Sequence, residues 1–534
     1  MTAEYAIAID IGTSGIRAQS YDLTNDKTIS TAITLRHPLP GANVVDHLHF
    51  ALEVGRNKAN ELLIDAINKV IGSLEVDNVR RLSVCGNPIQ LSLFNNIEIR
   101  DLAFWGENAL KEHDITPPSR KSKILKASQL GLDIPEDADV LIPPAIKHEI
   151  GADALAMLYK SDALNKDEDS LIIDFGTNAE MALIVEGEIY TASAAAGPAI
   201  EGQTIEKGRL ASPNTICDME KEDSYWRMKV LNSDLMVVDG DLINPRNGDT
   251  IQKGEIEAKG ITGTGVIAAF SLGIEDNIIQ EGKVEDKIYL QDDIYLTQND
   301  ISNIGKALGA FRAAELTLCE SSEIYLDEID SVYMAGASGF YVDAIKSMKI
   351  GQIPASSDEI YQIGNTSLAM AHDIAINPDL LDELQEIADD IESNHIMLAT
   401  SEIFEKIYSL ELSIYEENMP FWMYREWLGK YGFQDLPPLN ENPKIHKLFD
   451  RDIANEGEKP IQTVDISNTM NASFDNCIYC MKCVDNCPEN ALSLSGDGFH
   501  LRSDLCSGLG CLRCMTNCSE KAFKYNKFYN KGSE

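Results

Sequence analysis

For most of its length the chain is nearly without cysteine. Of eleven in 534 residues, only Cys85, Cys217 and Cys319 precede residue 477. Long apolar runs are missing as well. No stretch approaches the ~18 consecutive apolar residues of a membrane span. The opening MTAEYAIAID has no basic n-region and carries Asp10 where a signal peptide would be apolar. A cytoplasmic protein with no membrane attachment is the expectation, and its three outlying thiols should be reduced and structural. Positive charge is scarce: 45 Lys and Arg against 86 Asp and Glu leave a formal net charge of −41. Such a surface repels nucleic acid and anionic lipid, serves solubility, and can steer a basic partner patch. The nine His residues show no ligand spacing, His148 beside Glu149 reads as a solvated helix start, and no Ser/His/Asp arrangement stands out.

The missing cysteines are concentrated at the end. Cys477, Cys480, Cys483 and Cys487 are spaced C-x2-C-x2-C-x3-C and followed by Pro488; Cys506, Cys511, Cys514 and Cys518 are spaced C-x4-C-x2-C-x3-C. Three closely spaced thiolates hold three irons of a cubane cluster, and the fourth Cys of the run reaches the other cluster. Crossed ligation follows, with Cys477, Cys480, Cys483 and Cys518 on one 4Fe-4S cluster and Cys506, Cys511, Cys514 and Cys487 on the other. Two four-thiolate zinc sites are the alternative, although zinc more often takes two C-x2-C pairs separated by a longer loop. From Asp475 onward seven acidic and seven basic residues balance, so the whole acidic excess lies on residues 1–474.

Upstream, 534 residues imply two to four domains. YAIAIDI (5–11) reads as a buried strand, GTSG as a tight turn and IRAQSYDL as a second strand, a hairpin signal. Residues 51–72 and 299–320 have helical spacing, RRLSVCG returns to a strand, and IGADALAMLY (150–159) reads as a helix. The order then restarts: LIIDFGTNAEMA repeats the pattern of IAIDIGTSGIRA, which indicates an internal duplication and two similar α/β halves. The expected organisation is 1–165 and 166–376 as the halves, with an insertion near 215–258, then an acidic and aromatic connector over 377–470, and a cluster domain over 471–534. The connector's aromatic stretch YEENMPFWMYREWLGKYGF is expected to lie mostly in a core, since large aromatics dominate core energetics.

Paired Asp-x-Gly-Thr turns suit a nucleoside triphosphate. Small residues let backbone N–H groups approach phosphate oxygens, and an Asp can bind magnesium or orient an attacking water. Asp10, Gly12, Thr13 and Ser14 form the first candidate turn, and Asp174, Gly176, Thr177 and Asn178 the second, with Asp10 and Asp174 equally suited to the water. Gly336, Ala337 and Gly339 form a third turn placed for adenosine, and Gly263 and Gly265 allow a close chain crossing. Asn178 and Glu180, just past the second turn, could orient water or touch a partner.

In this order the turns resemble the actin, sugar-kinase and Hsp70 superfamily. That likeness implies ATP with magnesium held between two ribonuclease-H-like halves that hinge during turnover. IDFGTNAEMAL, followed by ASAAAGPAIEG and ITGTGVIAA, resembles more narrowly the ATPase part of the reductive activators of corrinoid proteins, over most of residues 1–375. The two-cluster tail is similar to that of the branch serving methylamine methyltransferases in methanogens. Two departures stand out: four residues separate Cys506 from Cys511, which clouds the role of Cys506, and Ser519 replaces the proline after the last cysteine. The resemblance implies an ATP-hydrolysing reductive activase. It would return an inactive Co(II) corrinoid methyl-carrier protein to Co(I) with electrons from a low-potential donor, the long connector letting the cluster domain approach its partner. The rival readings are an ATP-driven electron injector for another low-potential enzyme, a kinase with an acquired ferredoxin tail, and a nucleotide-gated redox scaffold.

Overall fold

The computed structural model describes residues 3–41, 43–104, 107–145, 150–176, 178–194, 204–391, 394–453, 455–496 and 498–530. Thr177, the pair His148–Glu149 and residues 195–202 of ASAAAGPAIEG, all singled out above, lie outside them. The chain divides into two compact units. The first gathers Met1–Ala156, Ser367–Glu392 and Asn455–Glu534; the second gathers Met157–Thr366 and Ser393–Ala454.

In the first unit, β1 (Tyr5–Ile11), β2 (Ile16–Asp22) and β3 (Lys27–Ile33) form an antiparallel meander. β4 (Val79–Gly86) runs parallel to β1, followed by β6 (Asp139–Ile142) and the antiparallel edge strand β5 (Lys123–Lys126). β1 is apolar at nearly every position because the sheet is covered on both faces, so strand alternation is lost. Helix α1 (Val44–Val54) and helix α2 (Arg56–Ser73) are separated by Gly55, whose φ of 96° breaks what the spacing of 51–72 presents as one helix. α2 buries Leu62, Leu63, Ala66, Ile67 and Val70, the i, i+3, i+4 stripe that holds an amphipathic helix on a sheet. Each large apolar side chain buried there contributes about 1.5–3 kcal/mol.

The second unit repeats this order. β7 (Ser170–Phe175), β8 (Ala179–Val185) and β9 (Glu188–Ala194) form the meander, Ser331–Ala335 runs parallel to β7, and Glu359–Gly364 lies beyond it. Strand for strand, β3-β2-β1-β4-β6 corresponds to β9-β8-β7 followed by those two strands. The duplication read from the two Asp-x-Gly-Thr segments is therefore a duplication of topology. The 215–258 region supplies a sheet of its own, Thr215–Glu222, Tyr225–Leu231, Val237–Ile243 and Thr250–Gln252 as an antiparallel run, with Gly260–Ile261 joined in parallel.

The stretch after residue 377 is not a free tether. Leu380–Ile391 buries Leu380, Leu381, Leu384, Ala388 and Ile391 in the first unit. Glu402–Glu416 packs along the long helix Gln298–Ser322 in the second, where Gly309 and Gly305 leave room for Glu411 and Tyr415. Arg312 clasps Glu411 through two 2.7 Å bonds inside that interface. Removing either partner would strand a buried charge. Lys444–Lys447 then pairs with Glu359–Gly364 in the second unit, and Gln462–Thr463 pairs with β3 in the first. The aromatic helix Phe421–Tyr431 buries only Tyr424 and Leu428, leaving Phe421, Trp422, Trp427 and Tyr431 exposed. It is an amphipathic surface helix, not a mostly buried segment. The cluster module is a small α+β fold, with sheet strands Thr469–Ala472, Leu492–Ser495, Gly498–Arg502 and Tyr529–Asn530 and one-turn helices at Lys482–Asp485 and Arg513–Thr516. No helix among the described residues is long and apolar enough to cross a membrane.

Candidate nucleotide and cluster sites

Asp10 lies near the C-terminal end of β1, beside the parallel strand β4, the end where open α/β sheets bind ligands. Its register partners are Arg17 on β2 and Cys85 on β4. The Arg17 guanidinium lies 3.5 Å from the Asp10 carboxylate. The turn is tight. A Cβ on Gly12 would come 3.1 Å from the Gly15 carbonyl, and one on Gly15 would strike the Thr34 carbonyl at 2.8 Å. Thr34 holds the turn from behind: its hydroxyl accepts from the Ile16 N–H (2.8 Å) and donates to the Arg36 carbonyl (2.8 Å). Thr13 is reached from just past β4, where the Asn87 amide donates to its hydroxyl at 3.3 Å. Asn87 also caps the helix Pro88–Phe94.

One carboxylate joins this group that the sequence did not single out. Asp153 sits in the first turn of the helix Ala152–Ser161, and Gly151 just before it packs against Asn87 and Pro88. Burial, with the charge of Asp10 adding to it, raises the Asp153 carboxyl to about 6. Cys85, behind Asp10, is held well above the ordinary thiol range by burial and then by the two carboxylates, so it is an inert buried thiol. Cys319 is likewise buried and Cys217 half-buried, and neither forms a disulfide. A cavity of about 370 Å³ lined by Glu4, Arg80, Asp137 and Asp139 lies at the opposite ends of β1 and β4, away from the turn.

In the second unit Asp174 occupies the equivalent place, and its partners differ. Across the β7–β8 hairpin it faces Glu180, and across the parallel pair it faces Ala335. Glu180 is buried, and Ser193 on β9 donates to it at 3.4 Å. The next residue after Ala335 is Gly336, at φ 78°, where a Cβ would collide with the Asp174 carboxylate. A Cβ on Gly339 would meet the Phe175 ring at 2.8 Å. The structure thus brings Asp174, Gly176, Asn178, Glu180 and Gly336–Gly339 together, the last as the opening of the short helix Gly336–Tyr341 and not as the turn the sequence suggested. Gly86 stands in the first unit where Gly336 stands in the second, against the Ile11 carbonyl, and the sequence reading missed it. Gly263 and Gly265 open the helix Gly263–Glu275, capped by Thr262; Gly265 packs on the Ile216 carbonyl, a close chain crossing.

The eight cysteines separate into two groups. Cys477, Cys480, Cys483 and Cys518 line one cavity, together with Met481 and Phe499. Cys506 has Cys487, Cys511 and Cys514 as its neighbours. These are the sets drawn from the spacing, with the last cysteine of each run crossing to the other group. Backbone N–H groups point at the sulfurs, from Tyr479 to Cys477 (3.4 Å), Ala491 to Cys487 (3.2 Å) and Ala522 to Cys518 (3.2 Å). Among the described residues no three His, Cys, Asp or Glu converge on a point where a single ion would sit. Four thiols lining one cavity, with backbone N–H groups aimed at sulfur, form a donor set that fits an iron–sulfur cluster. Burial and neighbouring thiols push the Cys514 thiol up to about 12, so ionising this set calls for compensating positive charge, which iron would supply.

The two extra residues in the second run have a structural use. Gly508 (φ 56°) lies against Gly41, with a Cβ position 3.0 Å from the Gly41 Cα, and the Gly41 N–H donates to the Cys506 carbonyl at 2.9 Å. Phe50 of α1 meets the Tyr525 ring edge to face, and Lys58 of α2 donates to the Phe528 carbonyl. The Cys506 side of the module is therefore docked on the first unit's own helices. The Cys480 side is open, with Ile478 and Tyr479 exposed.

Three family models match the chain. One described as the RACo middle region matches residues 5–166, one described as the C-terminal domain of RACo, the ASKHA domain, matches 168–425, and one described as a 4Fe-4S binding domain matches 472–493. A Methanosarcina barkeri protein named Co(II) methylated amine-specific corrinoid protein reductase is 45% identical over 496 residues, covering 92% of each chain. The corrinoid activation enzyme RamQ of Eubacterium limosum is 25% identical, over 66% of this chain and 60% of RamQ. The solved structure of a reductive activator for corrinoid, iron-sulfur protein superposes with a TM-score of 0.60 at 24% identity, covering 76% of this chain and 65% of the other. That likeness supports the ASKHA fold.

Proposed function

The chain belongs to the reductive activator of corrinoid protein family, and we propose that it uses ATP hydrolysis to return an inactive Co(II) corrinoid methyl-carrier protein of methylamine metabolism to Co(I). One observation carries the reading: the same compact unit holds an Asp-x-Gly-Thr turn of the ATPase type and, docked on its helices, eight cysteines arranged as two crossed sets.

Two 4Fe-4S clusters, when bound, supply one-electron transfer at low potential; Cys477, Cys480, Cys483 and Cys518 would hold one, and Cys487, Cys506, Cys511 and Cys514 the other. An external low-potential donor would provide the electrons. Backbone N–H groups of Gly12–Ser14 and of Gly176–Asn178 would receive phosphate oxygens, and Gly336–Gly339 the adenosine. Magnesium bound by one or two carboxylates plus substrate phosphates is the usual arrangement in ATPases. Asp174 with Glu180 suits it, two carboxylates with Gly336 leaving room beside them. Asp153, raised to about 6, suits proton acceptance from the attacking water near neutral pH. Asp10 would orient that group, its own charge balanced by Arg17. ATP shifts the protein only through its differential affinity for two states, so the nucleotide-favoured state is the one that binds the corrinoid partner.

The test is anaerobic. Reconstituted protein is mixed with a Co(II) corrinoid methyl carrier and a strong reductant, with and without ATP. A Co(I) absorption band that grows only with ATP is the expected result. Equal growth without nucleotide would remove the ATPase from the function, and an inert Co(II) spectrum under all conditions would favour a redox scaffold.

A further inference from the structure

The two halves of the cluster module are related in sequence. Aligning Cys487 with Cys518 places Ala491 on Ala522, Leu492 on Phe523 and Leu494 on Tyr525. The backbone N–H bonds to sulfur repeat at Ala491 and Ala522. The last pair does not repeat. Tyr525 is buried at 5% exposure, and its hydroxyl lies 3.4 Å from the Cys506 sulfur and within hydrogen-bond reach of Cys514. Leu494 has no hydroxyl to offer. Phe523, Phe528 and Phe50 of α1 fix the Tyr525 ring from three sides.

We infer that Tyr525 is a positioning residue for electron transfer, whose hydroxyl donates to the Cys506 thiolate and raises the reduction potential of the cluster held by Cys487, Cys506, Cys511 and Cys514. This rests on the two-cluster reading above. A sulfur bound to iron carries no proton, so the phenol, protonated at neutral pH, must be the donor. Reduction adds negative charge to the cluster and its sulfurs. A donor aimed at sulfur therefore stabilises the reduced form more than the oxidised one. Burial works the other way, since a low-dielectric site resists added negative charge. Docking the Cys506 side against α1 would depress that cluster, and Tyr525 offsets the depression, keeping both clusters within reach of one donor. The open cluster at Cys480, with Leu494 at the matching place, needs no such correction.

The experiment is a potentiometric EPR titration of the reconstituted full chain, wild type and Tyr525→Phe, with iron and sulfide measured in each. The expected result is two clusters per chain in both proteins, with one midpoint potential moved lower in the variant and the other unchanged. Pulsed EPR after reconstitution in D2O should show, in the wild type, an exchangeable proton coupled to the affected cluster that Tyr525→Phe removes. Should the variant fail to assemble its clusters, the wild-type spectrum alone decides: two exchangeable-proton patterns that are identical overturn the inference, and one cluster with an extra strongly coupled proton supports it. Two intact clusters with both potentials unchanged, or both moved equally, overturn this inference alone. A wild-type chain holding a single cluster overturns the two-cluster reading and this inference with it.

Discussion

The two Asp-x-Gly-Thr hairpins share a strand order and a turn, and differ in the residue opposite the aspartate. Asp10 faces Arg17, and Asp174 faces Glu180. In the first copy a guanidinium at 3.5 Å balances one carboxylate, and a second carboxylate, Asp153, stands nearby with its proton affinity raised. In the second copy Glu180 stands opposite Asp174 in the strand register, and Gly336 packs against the Asp174 carboxylate. The backbone was duplicated and the chemistry was not. Paired carboxylates favour a divalent cation, whereas a carboxyl poised near neutral pH favours proton transfer. On this difference rests our proposal of magnesium at the second copy and water activation at the first.

The sharpest way to break this assignment is Asp174→Asn. It should lower ATP hydrolysis and ATP-dependent Co(I) formation by about 10³-fold, the scale of losing a metal-held charge in a water-excluded site. The cluster absorption should be untouched, and raised magnesium should recover part of the loss. An equal loss with no magnesium response would move the cation elsewhere. Next in size, Asp153→Asn should cost about 10²-fold in hydrolysis. The wild-type rate should rise with pH along a limb centred near 6, and the variant should lose that limb. Stability gives an independent sign. Between the ordinary 3.8 and about 6, folded Asp153 keeps a proton that the unfolded chain releases. Stability therefore falls as pH rises through that window, and Asp153→Asn should be more stable than wild type at pH 7 by on the order of 2–3 kcal/mol. Denaturant melts at pH 4 and pH 7 measure the difference. Smaller still, Arg17→Met should cost less than about tenfold in rate while moving the acidic limb to higher pH, because a lost cation makes the neighbouring carboxyls harder to ionise.

What the sequence made legible follows range. Asp10, Gly12 and Asp174 were visible because strand, aspartate and glycine turn are consecutive, and the helix Gln298–Ser322 because its apolar spacing continues from Ile301 to Leu318 behind the Thr297 cap. The eight cysteines were visible because cubane ligands must crowd within a few residues. Asp153 was not visible, since nothing in IGADALAML announces that its helix starts beside a β1 turn far upstream. The register that sets Arg17 opposite Asp10 and Glu180 opposite Asp174 is a property of the pairing, not of either strand. The aromatic helix was misjudged because composition carries no facing: Tyr424 and Leu428, four residues apart, mark one buried stripe and leave Trp422 and Trp427 outside it. The packing of the connector was not legible because Arg312 and Glu411 meet only in three dimensions, 99 positions apart.

The smallest predicted effect turns the comparison on the two cysteine runs. Two residues separate Cys477 from Cys480, and the Cys480 side is open; four separate Cys506 from Cys511, and the Cys506 side is docked. Gly508 makes that docking possible in two ways: its φ of 56° is a left-handed conformation, and its missing side chain lets it rest on Gly41. Gly508→Ala adds a methyl group 3.0 Å from the Gly41 Cα, where the obstacle is backbone and cannot rotate away. The left-handed strain alone costs about 1–2 kcal/mol. The clusters should still assemble, since no cysteine moves out of reach. The loss should appear at the contact itself: the Gly41 amide, which donates to the Cys506 carbonyl, should exchange with solvent about 10–30-fold faster, while amides of β1 and β4 stay protected. From Gly41 the chain runs back through Arg36 to Thr34, whose hydroxyl braces the first Asp-x-Gly-Thr turn. If docking couples that turn to the clusters, Gly508→Ala should also weaken the ATP dependence of Co(I) formation while leaving hydrolysis intact. An unchanged Gly41 amide would mean the second run's extra residues serve the cluster alone.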